Sequence, residues 1–387
     1  MDNNFCLAPW YSLYIGKLFI KPCCLWTSSS RTWSTIDDIK EFWHGEKMQS
    51  IRKQFLNNEI PLECRTCMKR IQPRSVWLDE RIGKYVKEDS FSLKPPLKPL
   101  QLDFHLSNRC NLQCRSCGSW ASRRWFDIDK KLNEINPDFK RRPVGNYELD
   151  VSKFNDSKEM FSNLVRFDFK GGEPMANASM IDMIDNLVKW GNTQNMQLSY
   201  VSNCSFINQD AVDLWKNFKQ VRIVASIDGV GELFEYIRGF DFATFENTIN
   251  TYDQIENMKG LHNVAVSIYN ILDIVELNEY LIERDLKRFP CRNQGSYAFD
   301  CNVIDPSYIA VNILPKKYKE LALKQFENNK RENLKPFIKW LEVVKDIPED
   351  REQLKLFVQY TNALDEMRGT DFLSIKPEFT ELFEEYS

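Results

Sequence analysis

Three cysteines stand close together at Cys110, Cys114 and Cys117, in the run SNRCNLQCRSCGS (107–119). Thiolates are soft ligands that select iron–sulfur clusters, zinc or copper(I). A four-iron cluster ordinarily takes four cysteines, so the C-x3-C-x2-C spacing leaves one iron with an open position. An open metal position is what chemistry needs, as a catalytic zinc keeps one. Structural zinc usually pairs two short knuckles, a form the triplet lacks. A zinc site that borrows a fourth ligand, or three core cysteines, is the plainer alternative. A second group lies near the N-terminus. Cys64 and Cys67 form a C-x2-C knuckle, and Cys6 with one of Cys23 and Cys24 completes a four-thiolate set. Four thiolates suit a second [4Fe–4S] cluster or structural zinc, and spacing does not choose between Cys23 and Cys24. The remaining cysteines, Cys204, Cys291 and Cys301, are scattered and read as small buried hydrophobes.

Strand–helix alternation must position these groups. Strands are expected at QLDFHL (101–106), VRFDF (165–169), QLSYV (197–201), VRIVASI (221–227), NVAVSI (263–268) and SYAFDCNVI (296–304). Helical patterns fall between them at 120–135, 178–190, 207–218, 242–255 and 275–286. Such alternation implies an α/β fold with a parallel sheet. Six units are too few for a complete eight-fold barrel, so a partial barrel or an open sheet is expected. The Pro- and Lys-rich run LKPPLKPL (93–100) reads as a linker, 136–157 as an excursion, and the charged segment after about residue 313 as a helical appendix. The expected domains are therefore 1–98, 99–312 and 313–387.

Composition narrows the class. The net charge of −3 and the lack of long like-charge blocks give no support to a nucleic-acid partner. No apolar run reaches the roughly 20 residues of a membrane span, and no signal peptide is evident. A cytoplasmic protein with reduced thiols is expected, where clustered cysteines argue for metal or catalysis.

The triplet after the first expected strand resembles the radical S-adenosylmethionine (SAM) superfamily. The resemblance implies a partial (β/α)6 TIM-like barrel and a [4Fe–4S] cluster on Cys110, Cys114 and Cys117, with SAM chelating the open iron. One electron then cleaves SAM, and the resulting 5′-deoxyadenosyl radical takes hydrogen from substrate. Other segments are similar to the family in the same order. Lys170-Gly171-Gly172-Glu173-Pro174 resembles the loop that contacts the SAM amino group, with Glu173 the contact. VSNCSF (201–206) is similar to the ribose segment through Ser202 and Asn203, although Cys204 stands where glycine is usual. SIDGVGELFEYIRG (226–239) would place Ser226, Asp228 and Arg238 at the SAM site, with Arg238 suited to a carboxylate. Asn270 fits a polar residue reaching the cofactor. Ser116 stands where the family usually has an aromatic near adenine, so that contact falls to another residue, Trp120 being one candidate and core packing the plainer reading of Trp120.

C-x2-P-W from Cys6, then Pro22-Cys23-Cys24, then P-x2-C-x2-C ending at Cys67, looks like the SPASM or twitch auxiliary-cluster module, here ahead of the barrel rather than after it. The tail Met68–Ser75 departs from the usual E-x2-G-x-S. Segments 305–317 and 363–379 also look like twitch-type proteins. Such relatives imply a peptide or protein substrate, a small metabolite being the runner-up, and an electron donor such as a ferredoxin or flavodoxin. Asp103, His105, Asp300 and Cys301 are candidates for an acid or base, and Cys204 for a hydrogen donor, with a structural role the simpler expectation. A non-catalytic zinc-stabilised binding protein is the alternative from another class.

Overall fold

Alternating short runs of apolar and polar residues set the strands, because successive side chains point to opposite faces of a sheet. In the computed structural model the described residues are 5–17, 19–26, 33, 35–68, 78, 81–86, 91–93, 98–290, 301–303, 305–327 and 332–386. The strands are β1 (Ser12–Gly16), β2 (Phe19–Lys21), β3 (Gln101–His105), β4 (Arg166–Lys170), β5 (Gln197–Ser202), β6 (Gln220–Ser226) and β7 (Met258–Asn263). They form one sheet in the order β2-β1-β3-β4-β5-β6-β7. The pairs β1–β3, β3–β4 and β4–β5 are parallel, and β1–β2 is an antiparallel hairpin. The α/β class and the mostly parallel sheet are as expected. The N-terminal hairpin joins this sheet directly, a contribution that its short runs SLYIG and FIK do not announce.

The chain divides into two compact units. The first is Met1–Arg109, Tyr147–Tyr200 and Asn208–Arg222; the second is Cys110–Asn146, Val201–Ile207 and Ile223–Ser387. In the first, one face of the sheet is apolar. Phe104 packs on Phe154 and Phe167, and Phe169 stacks on Tyr200, whose hydroxyl accepts from Trp215 Nε1. In the second, the helices Arg351–Arg368 and Thr380–Tyr386 bury Phe357, Phe372 and Phe383 together with Tyr269. The helical C-terminal pattern is therefore realised, also over Lys316–Gln325 and Lys335–Val344.

Two expectations need correction. NVAVSI is not the sheet strand: β7 lies upstream, and only Ala265–Val266 (β8) is extended, paired with Cys301–Asn302 (β9). Side chains take the backbone there instead of a ladder. Ala265 N donates to Asp228 Oδ1, Ser267 N to Asn270 Oδ1, and Asn270 Nδ2 to the Ala265 carbonyl. Next, the helix expected at 120–135 begins only at Phe126, after a 3-10 turn at Arg123–Trp125. The preceding residues close a turn, with Ala121 and Ser122 donating to the Gly118 carbonyl. Of the strand expected at 296–304, Cys301–Asn302 is extended, and 296–300 and 304 lie outside the described residues. Asp300 and Cys291 lie outside the described residues, as do 94–97 of the linker and the tail from 69 to 75.

No helix among the described residues is long and apolar enough to cross a membrane. Buried His262 is one source of acid sensitivity in the fold. His262 is buried beside Phe289 with Nδ1 unpartnered, and burial lowers its pKa to about 4. The unfolded chain takes a proton near pH 6.5, so stability is lost as pH falls from there through about 4. From this group, urea unfolding at pH 5 should show a loss on the order of 2 kcal/mol relative to pH 7. His262→Gln should reduce the pH dependence by that amount; an unchanged slope in the variant would assign it to another group.

Candidate functional site

Within the second unit, the loop after β3 carries the three thiols on a backbone held from several directions. Asn203 Nδ2 donates to Cys110 Sγ at 3.7 Å and to Asn111 Oδ1 at 3.0 Å. Cys114 Sγ is 3.5 Å from the Arg238 carbonyl. Arg141 Nη2 donates to the Cys117 carbonyl at 2.6 Å, its own Nε being tied to Asp129 at 2.7 Å. Arg368 Nη2 donates to the Gln113 carbonyl, Tyr360 Oη to that of Arg115, and Ser122 Oγ to that of Leu112. Arg115, inside the triplet, is fully buried. Its guanidinium donates to Asp365 Oδ1 at 2.5 Å and Thr370 Oγ1 at 2.7 Å, and lies 3.6 Å from the centre of the Tyr236 ring.

Cys117 hydrogen-bonds Cys114, and this bond, helped by Arg238, lowers the Cys114 thiol to about 7 despite burial. Cys117, as the donor of the pair, is held well above the ordinary thiol range. Among the described residues no three His, Cys, Asp or Glu side chains converge on a point suited to a single metal ion. A four-iron cluster asks for something else, since each of its thiolates binds a different iron. The donor set, soft sulfur at three corners, fits that group.

The Gly-Gly-Glu-Pro loop belongs to the first unit and follows β4. Gly171 and Gly172 have φ of +86° and +57°, a region that favours glycine. A Cβ on Gly172 would stand 2.1 Å from the Arg109 carbonyl oxygen, and one on Gly171 2.2 Å from the His105 ring. Glu173 N donates to that same Arg109 carbonyl at 2.8 Å, and Asn177 Nδ2 to Ser107 Oγ at 2.9 Å. The loop is thus pinned to the residues that lead into Cys110. Glu173 is buried, with Oε1 accepting from Met175 N.

The other expected residues divide by what they already hold. Asp228 accepts from Arg238 Nη1 at 2.9 Å and from Ala265 N at 2.7 Å, so both of its oxygens are occupied. Arg238 is buried, yet its Nε has no partner, an orphan donor of the kind a carboxylate would satisfy. Asn270 is consumed by backbone groups, including the Asp228 carbonyl at 2.9 Å, and positions that turn instead of reaching outward. Ser202 Oγ accepts from Cys204 N. Cys204 is buried with φ of +55°, which explains why glycine is the usual residue there. Ser226 is half-buried at the end of β6, and Trp120 is 57% exposed. Asp103 is paired with Lys170 at 2.5 Å, and burial lowers His105 to about 4.

In the first unit a small cavity is lined by Cys6, Cys23, Cys64 and Cys67 together with Trp26 and Phe55. Cys24 is not among its lining residues. Burial, then the neighbouring Cys23 and Cys67, push the Cys64 thiol up to about 12. Buried Arg52 braces the module by donating to the Pro9 and Trp43 carbonyls at 2.9 and 2.7 Å.

Sequence patterns did not expose the braces of the triplet loop: Arg115, Arg141, Tyr360, Asp365 and Arg368. The available signal was a charged residue, Arg115, lodged between two ligands of one short loop. Removing Asp365 strands a buried guanidinium, which costs about 3–5 kcal/mol. Asp365→Ala should therefore lower both the thermal midpoint and the iron retained per chain after reconstitution. Wild-type values for both would contradict the bracing role.

No family model matches the chain. A curated relative, the antilisterial bacteriocin subtilosin biosynthesis protein AlbA of Bacillus subtilis (strain 168), is 23% identical over 236 residues, 59% of this chain and 45% of the relative. The chain thus spans about half the length of that relative. Among solved structures, Streptococcus suis SuiB bound to precursor peptide SuiA aligns with TM-score 0.37 and 15% identity, covering 66% of this chain and 52% of that one. Native anSMEcpe with bound AdoMet aligns with TM-score 0.40 and 16% identity, covering 66% and 65%. The chain is thus similar to AlbA, and it carries the cysteine triplet, the pinned Gly-Gly-Glu-Pro loop and the Asp228–Arg238 pair in that order along its sequence.

Proposed function

We propose that this chain is a radical SAM enzyme acting on a peptide or protein side chain. The observation that carries the proposal is the triplet loop: three thiols on one short segment, each fixed by a different element. The sheet is read as the partial (β/α)6 barrel of that class, with the site at the C-terminal ends of its strands. Cys110, Cys114 and Cys117 would hold a [4Fe–4S] cluster, which, reduced by an external electron donor such as a ferredoxin or flavodoxin, would supply the electron for reductive cleavage of SAM and so for hydrogen abstraction from an unreactive C–H bond.

The chain's own residues bind and orient. On the resemblance to that class, the backbone of Gly171 and Gly172 and the Glu173 carboxylate are assigned to the SAM amino group. The free Nε of Arg238 receives its carboxylate, with Asp228 holding the guanidinium in place. Ser202 and Ser226 offer hydroxyls to the ribose. Asn203 is already engaged with Cys110 and Asn111, so it serves chiefly to fix the loop. Cys6, Cys23, Cys64 and Cys67 hold a second cluster, which the cavity they share supports, and Cys24 stands aside. A fully ligated cluster relays electrons or stabilises its module. The precursor peptide named with SuiB, and the peptide substrate class expected from the family, favour a peptide over a small metabolite.

Anaerobic reconstitution tests the proposal. The wild type should bind iron and sulfide and release 5′-deoxyadenosine from SAM when reduced; stoichiometric zinc without SAM binding would contradict it. Cys114→Ala should abolish that release, and equal cleavage by this variant would remove the role given to the thiolate. Cys64→Ala and Cys23→Ser should each lower total iron while sparing part of the SAM cleavage, whereas Cys24→Ser should keep wild-type iron. A loss on Cys24→Ser equal to that on Cys23→Ser would refute the ligand assignment.

A further inference from the structure

The face of the sheet opposite the aromatic layer is polar. Register places its residues in rows. Ser12, Gln101, Arg166 and Gln197 make the deepest row, Lys21, Tyr14, Asp103, Asp168 and Ser199 the next, and Phe19, Gly16, His105 and Lys170 the last. Rows inside a barrel are ordinarily bulky and branched. Here Arg166 grips Asp168 through two bonds of 2.7 Å, and Lys170 holds Asp103. Arg166 and Lys170 thus pair with the two aspartates, while Lys21, on the same face, forms an ion pair with neither. Its ammonium donates to the Trp26 carbonyl at 3.4 Å. Deeper in, Ser12 Oγ and Gln101 Oε1 are buried without hydrogen-bond partners, so the face does not satisfy itself.

The outer row is open where the floor is not. Lys21, Lys170, Tyr14, Phe19, His105 and Tyr147 are all half-buried. Tyr14 and Phe19 stack at 5.4 Å, and Lys170 Nζ lies 5.6 Å from the Tyr14 ring centre, as Lys21 Nζ lies 5.5 Å from that of Phe19. The His105 ring leans on Gly171, two residues before Glu173. We infer that this rim is a binding site for a carboxylate of the substrate, held by Lys21 and Lys170 against the Tyr14–Phe19 wall. An ammonium pair over an aromatic floor suits a carboxylate on a short apolar stem, as in an acidic side chain or a chain terminus. The inference rests on the radical SAM proposal, and SAM brings a carboxylate of its own.

Crystals of the reconstituted holoenzyme with SAM, soaked in sodium bromide, separate the two sources by anomalous scattering. A bromide peak between Lys21 and Lys170 with SAM in place is expected. It should be displaced by glutarate but not by glutaramide, and lost in Lys170→Met; where that variant fails to fold, Lys21→Met serves. No peak, a peak seen only in SAM-free crystals, displacement by glutaramide, or a peak that survives the substitution would overturn the site. Deoxyadenosine release is measured on the same preparation. A protein that cleaves SAM but binds no bromide loses the carboxylate site alone, whereas one that does not cleave SAM loses the radical chemistry.

Discussion

Three thiols sit on eight residues of chain, Cys110–Cys117, and the anchoring of that short loop organises the helices and turns around it. Cys114 and Cys117 compete for one proton, which lowers the Cys114 thiol and raises that of Cys117. Backbone anchoring fixes the loop that carries them. The carbonyls of Leu112, Gln113, Arg115 and Cys117 each accept from a side chain outside the loop. Carbonyl oxygens are obligatory acceptors, so each bond fixes the loop without spending a thiol.

Arginine does much of this anchoring, for a physical reason. Its planar guanidinium keeps its charge when buried and presents several donors in a fixed fork. Arg115 uses that fork to join Asp365, Thr370 and the Tyr236 carbonyl, and Arg141 to join Asp129 with Cys117. The C-terminal helix Arg351–Arg368 is therefore part of the mounting for the triplet and not an appendage beside it. In the other unit Arg52 plays a similar part beneath the four-cysteine cavity.

Local chemistry was legible in the sequence where it depends on neighbours along the chain. The triplet, the knuckle at Cys64 and Cys67, and the Gly-Gly turn are of this kind, because spacing and backbone freedom decide them. The strands β3 to β6 were legible through their period of two. What escaped depends on residues far apart: Arg115 and Asp365 are 250 positions from each other. The β7 strand was misplaced because Asp228 and Asn270 take over the backbone of the more strand-like run that follows it. Cys23 lines the four-cysteine cavity and Cys24 does not, a distinction that spacing could not carry because the two are adjacent.

Magnetic resonance on the reduced holoenzyme addresses the open iron most directly. With SAM labelled by ¹⁵N in its amino group and ¹⁷O in its carboxylate, electron–nuclear double resonance should detect hyperfine coupling of both labels to the cluster. Such coupling means that the methionine end of SAM sits on the iron the protein leaves unligated. Bound SAM without coupling to either label would contradict that arrangement, and with it the account given for the triplet.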